Sequence, residues 1–110
     1  MKKITLTCAH AIVKYLIAQK ILIDGKKEPL FPGVFGIFGH GNVACLGQAL
    51  EESQNELPTY RGHHEQNMAL TGIGYARGKR RQQIFVATSS VGPGATNMVT
   101  AAAVAMSNRL

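Results

Sequence analysis

Three short segments hold side chains and backbone suited to binding or catalysis, and Glu65 stands in the first of them, Gly62-His63-His64-Glu65-Gln66. At i+3, i+4, i+7 and i+8 from Glu65 come Met68, Ala69, Gly72 and Ile73, with Ala76 one turn further on. On a helix these positions share one face, so the carboxylate lies in line with a buried apolar stripe. In a closed apolar site desolvation would disfavour the ionised carboxyl, which could then share a proton with a ligand nitrogen at neutral pH. The alternative is a first-turn acid favoured by the helix macrodipole and nothing more.

The second segment is Thr88-Ser89-Ser90-Val91-Gly92-Pro93-Gly94-Ala95-Thr96-Asn97, a hydroxyl-rich turn that feeds a helix with Pro93 near its first turn. It reads either as a phosphate cradle or as a set of helix caps. The third is Phe38-Gly39-His40-Gly41-Asn42, whose glycines let backbone approach a ligand and whose helix start offers free amides. Gly39, Gly41 and Ala44 satisfy GxGxxA, which leaves open an NADP-dependent oxidoreductase with Arg61 as a phosphate contact. A plain tight turn with an exposed His40 is equally open.

Other features point away from several classes. His63 and His64 are adjacent and project about 100° apart, so they do not share an ion and no metal site is expected on this chain. Cys8 and Cys45 lack a CxxC or a histidine at ligand spacing and read as packed, reduced thiols, which favours the cytoplasm. The net charge of +6 suits a polyanion partner, or acidic sequence missing from the chain. Its densest run, Arg77-Gly78-Lys79-Arg80-Arg81, has no interleaved aromatic residues for base stacking and reads as a solvated turn, so no nucleic-acid partner is expected. No apolar run has the length of a membrane span, and neither a membrane partner nor a signal peptide is expected.

The elements that must carry these segments follow from periodicity. Ala9, Ile12, Val13, Leu16 and Ile17 predict an amphipathic helix over 7–19 with Thr7 as N-cap. Residues 23–32, with Asp24-Gly25, two lysines and two prolines, predict a long connector. A strand is expected over 34–38, a helix through Val43, Leu46, Gly47 and Leu50, a short strand over 57–60, and a helix over 64–78. The apolar run 84–87 predicts a strand buried on both faces of a parallel sheet, followed by one last helix. This alternation predicts an α/β fold with a doubly wound parallel sheet and right-handed crossovers. The three segments are then strand-to-helix loops on the carboxyl edge of the sheet, where open α/β proteins bind ligands, and the basic run lies on the opposite edge. Three short strands make an unfinished sheet, so the domain is expected to be incomplete at its C-terminus, with an apolar edge left open.

HEQNMALTGIGYARG (64–78) and ATSSVGPGATNMVTAAAVAMSNRL (87–110) resemble the pyrimidine-binding domain of the thiamine-diphosphate-dependent enzymes of the acetohydroxyacid synthase and pyruvate oxidase type. That family shows His-Glu-Gln at a helix start, Gly-Tyr-Ala-Arg at its end, an apolar strand, and then Thr-Ser-Gly-Pro-Gly-Ala-Thr-Asn. Here Ser89-Ser90-Val91 is one residue longer. The resemblance implies that residues 1–110 are the N-terminal part of such a domain. It implies that Glu65 hydrogen-bonds the aminopyrimidine ring nitrogen of thiamine diphosphate and so activates the cofactor as a carbon nucleophile. By the same likeness His40, Gly41 and Asn42 line the pyrimidine or substrate side, and Gln66, Ser89, Ser90, Gly92 and Gly94 lie near the reacting centre. Mg2+ and the diphosphate would be held by a Gly-Asp-Gly motif followed by Asn in another domain of a partner subunit of a homo-oligomer, and that motif does not occur in these 110 residues. The longer turn, with IFGHGN (37–42), YRGHHEQNMA (60–69) and the final NRL, is most similar to the branch of the family that hydrolyses a carbon–carbon bond of a cyclic 1,2-dione. That branch opens trihydroxycyclohexanedione to 5-deoxy-glucuronate in inositol catabolism; an acetolactate-forming carboligase is the alternative. The chain by itself is expected to be inactive.

Overall fold

A computed structural model describes residues 3–110. Helix α1 (Cys8–Ala18) begins where expected, because the Thr7 hydroxyl accepts a hydrogen bond from the His10 amide at 3.2 Å and satisfies one of the free donors of the first turn. Its apolar stripe of Ala9, Val13, Leu16 and Ile17 faces a core of Val34, Ala49, Leu50 and Leu57.

Residues 23–32 are not a connector. Strands β1 (Lys20–Ile23) and β2 (Lys26–Pro29) form an antiparallel hairpin with Ile23 opposite Lys26. Its two-residue turn is Asp24-Gly25 at φ 51° and 78°, the pair of positive dihedrals that matches the twist of a hairpin.

The main sheet has β3 (Val34–Gly36) at its centre, flanked by β4 (Thr59–Arg61) and β5 (Val86–Thr88), both parallel to it. Successive side chains of β3 serve opposite faces. Val34 is buried with α1 and with α3 (Gln48–Glu52), while Phe35 stacks on Phe85 at 4.6 Å. Phe85 in turn meets Tyr75 edge-on at 4.8 Å, from helix α4 (Glu65–Gly78), which carries the crossover from β4 to β5. Helices thus cover both faces, and the sheet is doubly wound as the alternation predicts.

Other elements depart from expectation. The helix expected through Val43 and Leu50 is three pieces: a short α2 (His40–Asn42), a π-helical turn (Val43–Gly47), and α3. The last helix is two, α5 (Pro93–Thr96) and α6 (Val99–Ser107), separated by a tight turn in which the Met98 amide bonds the Ala95 carbonyl. β5 is half-buried rather than buried on both faces, because among the described residues only β3 pairs with it. Cys8 and Cys45 are exposed rather than packed, and neither is in a disulfide. The basic run is an exposed turn in which Arg80 and Arg81 sit at φ 53° and 64°, and the Arg81 guanidinium holds the Asn108 carbonyl at 3.0 Å. No helix among the described residues is long and apolar enough to cross a membrane.

Candidate functional site

β3 comes first in the chain yet lies between the other two strands, so the winding reverses beside its carboxyl end. Crevices at such reversals are where ligands bind in open parallel sheets. The loops after β3, β4 and β5 converge there. The loop leading into α2 lies against the loop after β5: a Cβ built on Gly39 would stand 2.8 Å from the Ser90 Cβ, closer than any side chain tolerates. The Asn42 amide donates to the Ser89 carbonyl at 3.1 Å and fixes the same contact.

The loop after β5 reaches Glu65 in turn. Gly94 is buried, and a Cβ there would lie 2.9 Å from Glu65 Oε1 and would overlap the Ser90 hydroxyl. The Asn97 Nδ2 donates to Glu65 Oε2 at 2.9 Å. One contiguous set therefore links Asn42, Ser89, Ser90, Gly94, Asn97 and Glu65 across three loops.

Glu65 is the first residue of α4, and its position follows from the residue before it. His64 caps the helix with Nδ1 accepting from the Asn67 amide at 3.4 Å. The carboxyl is half-exposed and is held below the ordinary carboxylate value, first by the Asn97 donor, then by its own backbone amide, with the charge of His64 adding least. Burial acts in the opposite direction but does not prevail. Two hydrogen-bond donors favour the ionised form, and solvent reaches the group.

Glu65, Gly92, Pro93, Gly94, Thr96 and Asn97 line an open depression of about 910 Å³. Gly39, Gly41, Asn42, Ser90 and Val91 line a smaller one of about 80 Å³. Ser89 accepts from Asn42 at its backbone carbonyl, and its hydroxyl donates to the Ser90 carbonyl at 3.1 Å. His40 is exposed, and Gln66 is half-buried beside Glu65; neither lines either depression. Among the described residues no three metal-ligating side chains cluster. Sequence reasoning placed Asn97 at the end of the hydroxyl-rich segment but gave it no contact with Glu65: the two stand 32 residues apart on different elements, and no spacing rule connects them.

Residues 7–110 match the family described as thiamine pyrophosphate enzyme, N-terminal TPP binding domain. Over all 110 residues the chain is 54% identical to the 3D-(3,5/4)-trihydroxycyclohexane-1,2-dione hydrolase of Geobacillus thermodenitrificans. Proteins of the same name from Clostridium tetani and Bacillus thuringiensis are 50% and 49% identical over the same length. The chain spans 17% of the length of each of these relatives.

Proposed function

The chain belongs to the thiamine pyrophosphate enzyme family, within its N-terminal cofactor-binding domain, and from that premise we propose that Glu65 is the carboxylate that engages the aminopyrimidine ring of thiamine diphosphate. The observation that carries this reading is the division of labour between its two oxygens. Oε2 is tied to Asn97, Oε1 packs closely over Gly94, where a side chain would displace it, and the carboxylate lines the open depression.

The residues present fit such a ring. A flat heterocycle needs an in-plane partner for its nitrogen and room beside that partner, and the depression beside Glu65 offers both. When bound, thiamine diphosphate supplies a carbon nucleophile and an electron sink. Glu65 contributes a carboxylate that is ionised before the ring arrives. Covering it with ligand adds desolvation, which works against the Asn97 bond and brings the carboxyl to the point where it shares a proton with the ring nitrogen. Asn42 holds the first glycine loop against Ser89, so that Gly39, Gly41 and Ser90 form a wall beside this position.

In the whole protein the reaction we assign is the hydrolytic cleavage of a carbon–carbon bond of a cyclic 1,2-dione, the substrate class in the relatives' name, opening trihydroxycyclohexanedione to 5-deoxy-glucuronate. Mg2+ and the diphosphate would be held by sequence outside these 110 residues, on a partner subunit of a cytoplasmic homo-oligomer, so the chain alone does not turn over the dione.

The test uses an enzyme of the relatives' full length that carries this sequence. Stripped of thiamine diphosphate and Mg2+ it should lose dione hydrolysis, and it should regain it when both are restored. Cofactor-dependent condensation of pyruvate to acetolactate, with the dione left untouched, would overturn the assignment in favour of a carboligase.

A further inference from the structure

We propose that Asn97 is a positioning residue for Glu65: its side-chain amide holds one carboxylate oxygen so that the other alone is presented to the ligand. The identity of that ligand as a ring nitrogen rests on the preceding reading; the positioning itself rests on geometry. The Asn97 Nδ2 meets Glu65 Oε2 at 2.9 Å and ties the end of α5 to the start of α4. Without it the half-exposed carboxylate would keep only its own backbone amide as a partner and could turn between staggered conformers.

The neighbouring groups show why Asn97 has this duty. His64 Nε2 lies 3.5 Å from the Asn97 Nδ2, whereas Glu65 Oε2 lies 2.9 Å from it, so the shorter contact of the Asn97 amide goes to Glu65. No lysine or arginine forms an ion pair with Glu65 among the described residues, and His64 is the one titratable group that acts on it. A neutral donor suits the task. It orients a carboxylate without the full charge of a guanidinium, which would oppose its later sharing of a proton.

The experiment follows the Glu65 side-chain carboxyl by NMR titration of the full-length enzyme carrying isotope-labelled glutamate, its signal assigned by its loss in Glu65→Gln, in the wild type, Asn97→Ala and Asn97→Asp. The Glu65 midpoint should rise in Asn97→Ala and rise further in Asn97→Asp, which keeps the shape of asparagine but replaces a donor with a like charge. In the full-length enzyme both variants should lower kcat by about 10- to 100-fold, the scale of a misplaced reacting group, with a much smaller change in KM. A merely structural role predicts kcat restored in Asn97→Asp, which keeps the shape of asparagine, and a Glu65 midpoint unmoved in Asn97→Ala. Either result overturns the proposal, whereas the rise in Asn97→Asp follows from its charge alone. The isosteric variant decides the matter even where alanine disturbs folding. Normal turnover by Glu65→Gln would strike at the reading of Glu65 and leave the titration result standing.

Discussion

Gly94→Ala is the smallest change that separates packing from presentation at this site. Gly94 lies in the first turn of α5, and by intrinsic propensity alanine would stabilise a helix interior there by about 0.8–1.0 kcal/mol. The contacts act the other way. The new Cβ would overlap the Ser90 hydroxyl and lie 3.4 Å from the Ser90 Cβ and 2.9 Å from Glu65 Oε1. Ser90 can swing its hydroxyl to another staggered conformer at small cost, but Glu65 must yield several tenths of an ångström while Oε2 stays tied to Asn97. Overpacking of this kind costs about 1–3 kcal/mol, so the net expectation is a destabilisation of up to about 2 kcal/mol. That corresponds to a fall of up to about 1 M in the urea midpoint of a chain this size. Turnover by the full-length enzyme should fall about 10- to 100-fold, because the methyl group displaces Glu65 Oε1 from its position. The double variant Ser90→Gly with Gly94→Ala divides the two effects. It should recover only the small Ser90 share of the stability and little of the activity, since the contact with Glu65 remains. A Gly94→Ala chain as stable and as active as the wild type would refute the packing argument, and a double variant with full activity would refute the assignment of Oε1 to the ligand.

Two further predictions concern the frame around the site. The Glu52 carboxyl is held below its ordinary value of 4.5 by the His10 ring first and Gln48 second, with His10 Nε2 at 2.9 Å from it. A depressed carboxyl contributes stability that is present above its unfolded pKa and is lost as pH falls through the folded one. Glu52→Gln should therefore flatten, by a small amount, the fall of the urea midpoint between about pH 5 and about pH 3, and an unchanged acid limb would show that the contact between α1 and α3 carries no linkage. Gln83, only 7% exposed, accepts the Tyr75 hydroxyl at 3.1 Å and donates to the Pro29 carbonyl at 2.8 Å, joining α4 to the β1–β2 hairpin. Gln83→Leu strands both partners and should cost about 1–3 kcal/mol in chemical denaturation, whereas a neutral result would place water at both groups.

The parts of this protein that could be read from its sequence are those set by local periodicity. Glu65 declares its register through Met68, Ala69, Gly72, Ile73 and Ala76, because a helix converts spacing directly into a shared face. The placement of the three loops follows as firmly, because parallel strands joined by helices put every such loop on one edge. What the sequence concealed depends on partners distant along the chain or on the backbone alone. Asn97 meets Glu65 only after β5 has crossed beside β3, and the direction of the Glu65 shift depends on that bond. The hairpin is held by a backbone ladder, and its strands, Lys20-Ile21-Leu22-Ile23 and Lys26-Lys27-Glu28-Pro29, show no clean alternation on the second side. Asp24-Gly25 was nonetheless a usable signal, since that dipeptide supplies the two positive dihedrals a tight hairpin needs. The break between α5 and α6 falls within Thr96-Asn97-Met98-Val99, where neither glycine nor proline marks it.

The most direct test of the central claim is the turnover of Glu65→Gln in the full-length enzyme with thiamine diphosphate and Mg2+, measured beside its urea midpoint. Glutamine keeps the size of the side chain and its place beside Asn97 but cannot share a proton with a ring nitrogen. The account predicts a kcat lower by about 10²- to 10⁴-fold, the range for loss of a positioned proton-transfer group, with the fold intact. Near-normal turnover by a folded Glu65→Gln enzyme would contradict it and leave Glu65 as the first-turn acid of a helix.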